Sequence, residues 1–181
     1  MKKRPVAVLD ACVLAPMPVA DTLLRLAEPP APYEPRWTDE ILAGVTRTLV
    51  VRFGKSRESA QYREAAMRDF FHDSLVKDYE LLVEKMTNHP KDRHVLAAAV
   101  ACRADYLVTF NLKHFPPQSP GVHEVAVIGP STFLKELFAI DRAVIEDRLC
   151  DQAKAVEISS DQLLERLAGS VPGFVSLLRR S

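Results

Sequence analysis

Four oxygen-bearing side chains stand at positions where a strand ends or a helix begins. Asp10 ends the first apolar run of the chain, and Asn111 directly follows a later one. Glu40 lies in the first turn of a predicted helix, and Asp92 lies at the start of another. Because ligands of open parallel sheets bind at the carboxyl ends of the strands, these side chains are expected to meet at one edge.

The oxygen atoms of these side chains are the ligands that a hard divalent cation such as Mg²⁺ prefers. A cation bound there can polarise a phosphoryl oxygen and activate a water for in-line attack. Carboxylates packed closely without a cation repel each other, so a metal is the economical explanation of such a cluster. The pattern therefore predicts metal-assisted chemistry on a phosphate.

Each of the four side chains also has a purely structural interpretation. Asp10 can cap the next helix, although a carboxylate that ends a buried strand is unusual and favours function. Glu40 and Asp92 can be first-turn acids that the helix dipole stabilises. Asn111 can be a turn residue, because Asn tolerates left-handed backbone.

The elements that would position these residues alternate between strands and helices. Short apolar runs predict strands at 6–9, 33–37, 106–110 and 125–128. Helical spacing predicts helices at 19–27, 38–53, 56–74, 78–86, 93–103 and 131–138. This alternation predicts an α/β fold with a parallel sheet.

Helix boundaries are marked by capping residues. Thr38, Ser56 and Ser131 each precede a helical pattern and are predicted to cap it. Gly54 is a natural C-terminal stop.

From Asp141 onward the pattern is entirely helical, with helices predicted at 141–155, 160–168 and 171–180. We therefore divide the chain into a main domain, 1–138, and a helical extension, 139–181. The extension is too short to hold much core alone, so it is expected to pack on the main domain or on a partner.

The composition is that of a globular protein of 181 residues, with 48% hydrophobic and 27% charged residues. Lys plus Arg and Asp plus Glu both number 24, so the net charge is zero, which argues against disorder and against nucleic-acid binding by bulk charge. Cys12, Cys102 and Cys150 form no CxxC and predict reduced thiols in a cytoplasmic protein, with no membrane span. His89, His94 and His114 show no metal-binding spacing such as HExxH. We therefore interpret them as surface or core residues.

Two stretches of the sequence resemble a known nuclease family. The opening at 8–14, VLDACVL, resembles the strand that delivers the first acid in PIN domains. The run DRHVLAAA at 92–99 and the run ADYLVTFNLKHF at 104–115 resemble the second half of the same family, in order and with suitable spacing. The resemblance covers about residues 4–138.

The resemblance implies a three-layer α/β/α fold with a short central parallel sheet, and an acidic cluster that binds Mg²⁺ or Mn²⁺. Many bacterial PIN domains are VapC-type toxins, ribonucleases that a cognate antitoxin protein holds inactive. The helical extension is similar to one carried by a branch of those toxins. The family and the extension together point to a homodimer.

Five residues match the family's site positions. Asp10 matches the first acid and Asp92 the third, and these two would bind the metal. Asn111 stands where many members have Asp and others Asn. Thr109 matches a hydroxyl residue that steadies the site, and Thr38 matches the Ser or Thr that begins the second motif.

Two departures from the family pattern concern acids. The second acid of the family falls where this chain has Gly44. Glu40 lies four residues earlier on the same helix face, about one turn or roughly 6 Å away, and would replace it if it reaches the metal. The second departure is His114, where many relatives carry Asp.

The charge is segregated along the sequence. Residues 45–68 carry six basic and two acidic residues, a net charge of +4, whereas 140–165 carry three and seven, a net charge of −4. Both can be ordinary solvated helix faces. The functional interpretation is that the basic segment guides an RNA backbone to the site, and its candidate residues are Arg47, Arg52, Lys55 and Arg57.

Three hypotheses of different classes follow. The first is a metal-dependent ribonuclease, the toxin of a type II toxin–antitoxin pair, that uses Asp10, Glu40, Asp92 and Asn111. The second is a PIN-like module for RNA or protein binding with a degraded metal site, which Gly44 favours. The third, a phosphatase with Asp10 as nucleophile, is weaker because Cys12 stands where such enzymes need a second acid.

Overall fold

Four short strands form one parallel sheet at the centre of the molecule. In this computed structural model, which describes residues 4–119 and 124–180, the strand order is β2-β1-β3-β4. The strands are β1 (Val6–Leu9), β2 (Glu34–Arg36), β3 (Tyr106–Val108) and β4 (Ala126–Ile128). The central strand β1 pairs in parallel with both β2 and β3. Its residues Ala7, Val8 and Leu9 are fully buried, as expected for a strand covered on both faces.

Ten helices surround the sheet within the described residues. The first five are α1 (Ala11–Leu14), α2 (Val19–Leu26), α3 (Asp39–Val51), α4 (Arg57–Phe70) and α5 (Glu80–Val83). The others are α6 (Arg93–Ala101), α7 (Pro130–Ile140), α8 (Arg142–Ala155), α9 (Ser160–Ala168) and α10 (Pro172–Leu178). Short 3-10 turns lie at His72–Ser74, Pro90–Asp92 and Leu112–His114. The predicted α/β/α fold with a short parallel sheet and C-terminal helices is confirmed.

The sequence signals at the ends of α3 and α4 are confirmed. The Thr38 hydroxyl caps α3 by accepting a hydrogen bond from the N–H of Ile41, and Ser56 caps α4 in the same way. Gly54 follows α3 with φ of +62°, the left-handed conformation that glycine adopts without steric cost.

The cap prediction for Ser131 is wrong. Helix α7 begins at Pro130 after Gly129, because proline suits the first helical position and needs no hydrogen-bond acceptor there. The Ser131 hydroxyl instead accepts a hydrogen bond from the N–H of Phe174 at 3.0 Å, which joins α7 to α10.

The C-terminal helices pack against the first part of the chain. Gln152 of α8 is buried, and its Oε1 accepts a 2.7 Å hydrogen bond from the Thr22 hydroxyl of α2. Its Nε2 donates to the carbonyl of Pro18 at 3.1 Å. Phe174 of α10 is fully buried beside α7. The expectation that these helices pack on the rest of the chain is confirmed.

Two short segments differ from the sequence prediction. The helix predicted at 78–86 is only the single turn α5, because Asp78 has φ of +60° and is not helical. The single turn α1 was not predicted, because Pro16 and Pro18 mask its short apolar pattern. None of the helices in the described ranges is long and apolar enough to cross a membrane.

Candidate functional site

One cleft of about 930 Å³ opens beyond the carboxyl ends of β1 and β3. All four oxygen-bearing residues predicted from the sequence line it, namely Asp10, Glu40, Asp92 and Asn111. The parallel sheet therefore brings together residues that lie up to about a hundred positions apart in the chain. These four side chains and their neighbours form the candidate site.

Asp10 is held by neutral hydrogen-bond donors at the base of the cleft. Asp10 is only 5% exposed, and its side chain does not cap α1. The Thr109 hydroxyl donates to Asp10 Oδ2 at 2.7 Å, and the Cys12 thiol donates to the same oxygen at 3.1 Å. Because a buried carboxylate is costly unless it is hydrogen-bonded, these two donors keep Asp10 in place. We call Asp10, Cys12 and Thr109 the strand-end pocket.

Thr109 links the strand-end pocket to Asn111. The residue is fully buried, and its hydroxyl oxygen accepts a hydrogen bond from the Asn111 N–H at 3.0 Å. One hydroxyl thus fixes both the Asp10 carboxylate and the backbone of Asn111. The resemblance matches Thr109 to a hydroxyl residue that steadies the site, and that functional role stays a prediction.

Cys12 is a third member of this pocket, and the sequence predicts for it only a reduced thiol. Its sulfur accepts a hydrogen bond from the N–H of Phe110 at 3.2 Å. Burial, followed by the negative charge of Asp10, raises the pKa of the Cys12 thiol to about 12. The thiol therefore stays protonated near neutral pH and can donate to Asp10. The position two residues after a strand-end Asp was the signal that could have identified it.

Glu40 also lines the cleft and is more exposed than Asp10. Its side chain is 55% exposed, and its Oε2 lies 3.7 Å from Nδ1 of His94 and 3.5 Å from the Tyr79 hydroxyl. Nδ1 of His94 is buried and has no hydrogen-bond partner within the described residues. Thr38, just before α3, is fully buried and acts as the helix cap. His94 and Tyr79 are neighbours of Glu40 that the sequence did not reveal.

Gly44 lies one turn after Glu40, where α3 passes close to α1. A Cβ atom built on Gly44 would come within 3.1 Å of Cβ of Ala11. Since that separation is tighter than ordinary van der Waals contact, a larger side chain requires α1 or α3 to shift by a few tenths of an ångström. The position at which the chain lacks the acid is therefore one where α3 and α1 pack closely together.

The carboxylate of Asp92 lies among histidine rings, whereas that of Asp10 lies among neutral donors. Its Oδ2 lies 2.6 Å from Nδ1 of His114. The ring of His114 stacks on that of His89, with centroids 4.1 Å apart and planes inclined by 15°. We call His89, Asp92 and His114 the histidine cluster. The linear spacing of these histidines does not predict the cluster.

The donor set of the cleft suits a hard cation that keeps part of its water shell. In the described ranges, the histidine cluster is the only group in which three acid, histidine or cysteine donors all lie within 4.8 Å of one another. The carboxylates of Asp10, Glu40 and Asp92 line one cleft but do not form so tight a group. Mg²⁺ is commonly bound by one or two carboxylates with waters and substrate phosphate, so Asp10 and Asp92 fit such an ion.

Basic side chains lie along one rim of the cleft. Arg47 and Arg52 line the cleft directly, whereas Lys55 and Arg57 are exposed farther along the same segment. These four side chains make no ion pair within the part of the chain that the structure describes. They are therefore free to meet an anion.

The other two basic residues of this segment have structural contacts. Arg63 donates to the carbonyl oxygens of Leu14 and Ala15 at the end of α1, and burial lowers its pKa. Arg68 pairs with Glu64 at 2.8 Å and also with Asp39. The positive charge available to a ligand is therefore smaller than the sequence count indicated.

Comparison with known proteins gives one clear similarity. No family model matches the chain, and no solved structure matches it. The chain is 35% identical over 105 residues to a curated protein of Mycobacterium tuberculosis (strain ATCC 25618 / H37Rv) named "Putative ribonuclease VapC50". The match covers 56% of this chain and 62% of that relative's length. The chain is thus similar, over about half its length, to a protein named as a VapC ribonuclease.

Proposed function

We propose that this chain is a metal-dependent endoribonuclease of the PIN type and the toxin of a type II toxin–antitoxin pair. The observation that carries the proposal is the single cleft that Asp10, Glu40, Asp92 and Asn111 all line. The similarity to a protein named as a VapC ribonuclease supports the same activity. The reaction is hydrolysis of an RNA phosphodiester bond.

Asp10 and Asp92 would hold Mg²⁺ or Mn²⁺, and Asn111 would assist through its amide oxygen. Such an ion supplies positive charge that stabilises the phosphate and activates a water. Asp10 is suited to this role because Thr109 and Cys12 both bond to Oδ2, which leaves its second oxygen without a described protein partner. Thr109 keeps that carboxylate oriented. Glu40 would add a third carboxylate, which is more exposed than the other two.

The rim of the cleft provides contacts for a single-stranded substrate. Arg47 and Arg52 offer positive charge for the phosphate backbone, and Lys55 and Arg57 extend it outward. Phe53 and Phe110 line the same cleft and are 43% and 40% exposed. Exposed aromatic rings of this kind let unpaired bases stack, which a paired helix does not allow.

The test is an RNA cleavage assay with Mn²⁺ or Mg²⁺ on three samples: wild type, Asp10→Asn and wild type with EDTA. We expect cleavage by the wild type, and a loss on the order of 100-fold or more in the other two, as is typical when a preorganised charge is removed. Asp147→Asn, an exposed acid on α8, is the matched control and should cleave normally. Equal cleavage in all samples would contradict the proposal.

The second candidate function is a binding module with a degraded site, and Gly44 is the observation that favours it. The close approach of Gly44 to Ala11 leaves no acid at the family's second position. Calorimetric titration with Mn²⁺ separates the two candidates. RNA binding without any metal response supports the module, whereas metal binding that requires Asp10 supports the enzyme.

The proposed partners follow from the toxin assignment. We propose a cognate antitoxin protein and a homodimer. A small reading frame beside the gene should encode the antitoxin, and co-expression should suppress RNA cleavage. Light scattering of the purified chain should give twice the monomer mass; a monomer mass at all concentrations contradicts the dimer.

A further inference from the structure

The histidine cluster offers two imidazole nitrogens as ligands, which a magnesium site does not require. Its ligand atoms, one each from His89, Asp92 and His114, all lie within 4.8 Å of one another. Two imidazoles and one carboxylate are ligands for borderline divalent cations such as Zn²⁺ and Co²⁺, whereas Mg²⁺ prefers oxygen. We propose that the histidine cluster binds a borderline transition-metal ion at a position that shares Asp92 with the hard-cation position but does not include Asp10.

The contact between Asp92 and His114 prepares two ligands of this site. Oδ2 of Asp92 and Nδ1 of His114 already lie 2.6 Å apart. Two ligand atoms bound to one tetrahedral ion at about 2 Å lie roughly 3 Å apart, so a small shift lets both bind the same ion. An ion bound there takes the place of the proton in this hydrogen bond.

His89 supplies the second imidazole. Its Nδ1 receives a long, 3.3 Å contact from the N–H of Lys91, which a cation or a tautomer change can replace at small cost. The stack keeps the two rings adjacent, with centroids 4.1 Å apart. Because an imidazole binds a metal in the plane of its ring, the His89 ring rotates out of the stack to bring a nitrogen to the same ion.

Backbone hydrogen bonds fix the two loops that carry the three ligands. The His89 N–H donates to the carbonyl of His114 at 3.0 Å, and the Asp92 N–H donates to the carbonyl of His89 at 2.9 Å. The N–H of His114 donates to the carbonyl of Asn111 at 2.8 Å. The turn before α6 and the turn after β3 are thus joined before any ion binds. A rigid frame of this kind reduces the entropy lost on binding.

The test uses the whole chain, stripped with EDTA, and Co²⁺ as the probe in the presence of excess Mg²⁺. We expect one Co²⁺ per chain, seen by visible d–d absorption. His89→Gln and His114→Gln should each weaken binding by at least about 10- to 100-fold, the range found when even an outer-shell partner of a metal ligand is lost. His72→Gln, an exposed histidine outside the cluster, is the matched control and should bind as the wild type does.

Asp10→Asn separates this site from the site proposed for RNA cleavage. Because the Co²⁺ measurement contains no RNA, the two proposals can fail independently. Co²⁺ binding that survives in Asp10→Asn supports the histidine cluster. Binding lost in Asp10→Asn, binding unchanged in both cluster variants, or thiolate charge-transfer absorption from a cysteine would overturn it.

A measurement on the wild type covers the case in which the cluster variants do not fold. Co²⁺ is paramagnetic and broadens nuclear magnetic resonances near it. Substoichiometric Co²⁺ should broaden the ring signals of His89 and His114 before those of His72. Equal broadening of all histidine signals contradicts a defined site.

Discussion

The two aspartates that line the cleft differ in what surrounds them. Asp10 lies in the strand-end pocket, 5% exposed, where a hydroxyl and a thiol donate to it. Asp92 lies in the histidine cluster, half-buried, with one imidazole against its carboxylate and a second stacked behind. The same residue type therefore faces two kinds of chemistry within one cavity.

The difference indicates that the two acids are not interchangeable ligands. The partners of Asp10 are neutral donors that orient it and supply no nitrogen ligand, so its free oxygen suits a hard cation. The partners of Asp92 are themselves metal ligands, so that side of the cleft favours a borderline cation. Variants on the two sides should therefore separate RNA cleavage from transition-metal binding.

The largest effect is expected for Asp92→Asn, because Asp92 is a proposed ligand of both the hard cation and the transition-metal ion. We predict that it lowers RNA cleavage on the order of 100-fold or more and also weakens Co²⁺ binding. Asp10→Asn should lower cleavage to a similar extent and leave Co²⁺ binding intact. Parallel cleavage and Co²⁺ titrations on both variants check this. If both variants lose Co²⁺ equally, the two sides form a single site.

Thr109→Val tests the strand-end pocket without removing a charge. The substitution deletes the hydroxyl that donates to Asp10 and accepts from the Asn111 N–H. We expect cleavage to fall by about 10- to 100-fold and the free energy of unfolding to fall by about 1–3 kcal/mol, because buried polar groups lose their partner. Denaturant unfolding and cleavage kinetics measure the two effects.

Thr48→Val is the matched control for Thr109→Val. Thr48 also lines the cleft, and its side chain makes no hydrogen bond among the described residues. It should keep both activity and stability. Co²⁺ binding should be unchanged in both threonine variants, and a loss in Thr109→Val would mean that the pocket also supports the histidine cluster.

The strand-end pocket could be predicted from sequence to a greater extent than the histidine cluster. Asp10 and Asn111 directly follow apolar runs that predict strands. In a parallel sheet the carboxyl ends of neighbouring strands lie side by side at one edge. Thr109 precedes Asn111 by two residues and therefore lies on the same strand end. Local patterns were sufficient here because the sheet itself positions the residues.

The histidine cluster depends on contacts that no local pattern encodes. His89 and His114 lie 25 positions apart on two turns, and the backbone bond between them exists only in the folded chain. The cap prediction for Ser131 is wrong for the same reason, since its partner Phe174 lies in the last helix. Sequence periodicity describes one element at a time and does not report which loops meet.

The basic rim should affect substrate capture rather than the chemical step. We predict that the double variant Arg47→Ala/Arg52→Ala lowers cleavage at low substrate by about tenfold, mainly through KM, with a shallower dependence on salt. Arg179→Ala/Arg180→Ala, which changes the same charge on exposed residues after α10, is the matched control. A kcat defect with unchanged salt dependence would place these arginines in a different role.

The smallest effect concerns the protonation of the strand-end pocket. The pKa of the Cys12 thiol is raised from 9.0 to about 12, first by burial and then by Asp10, so the folded state favours the neutral thiol. A raised acid pKa stabilises the folded state fully below the unfolded pKa, and that stability is lost as the pH rises from 9 toward 12. From pH 8 to pH 10 the loss from this thiol is about 1 kcal/mol.

Cys12→Ala removes that titration and should make the alkaline loss of stability shallower by the same amount. Tyr33, whose pKa burial also raises, is present in both proteins, so its contribution cancels in the comparison. Urea unfolding of wild type and variant at pH 8 and pH 10 gives the difference. Identical slopes would mean that the thiol ionises as easily in the folded as in the unfolded chain. The strand-end pocket would then carry a second negative charge at alkaline pH, and its contrast with the histidine cluster would hold only near neutral pH.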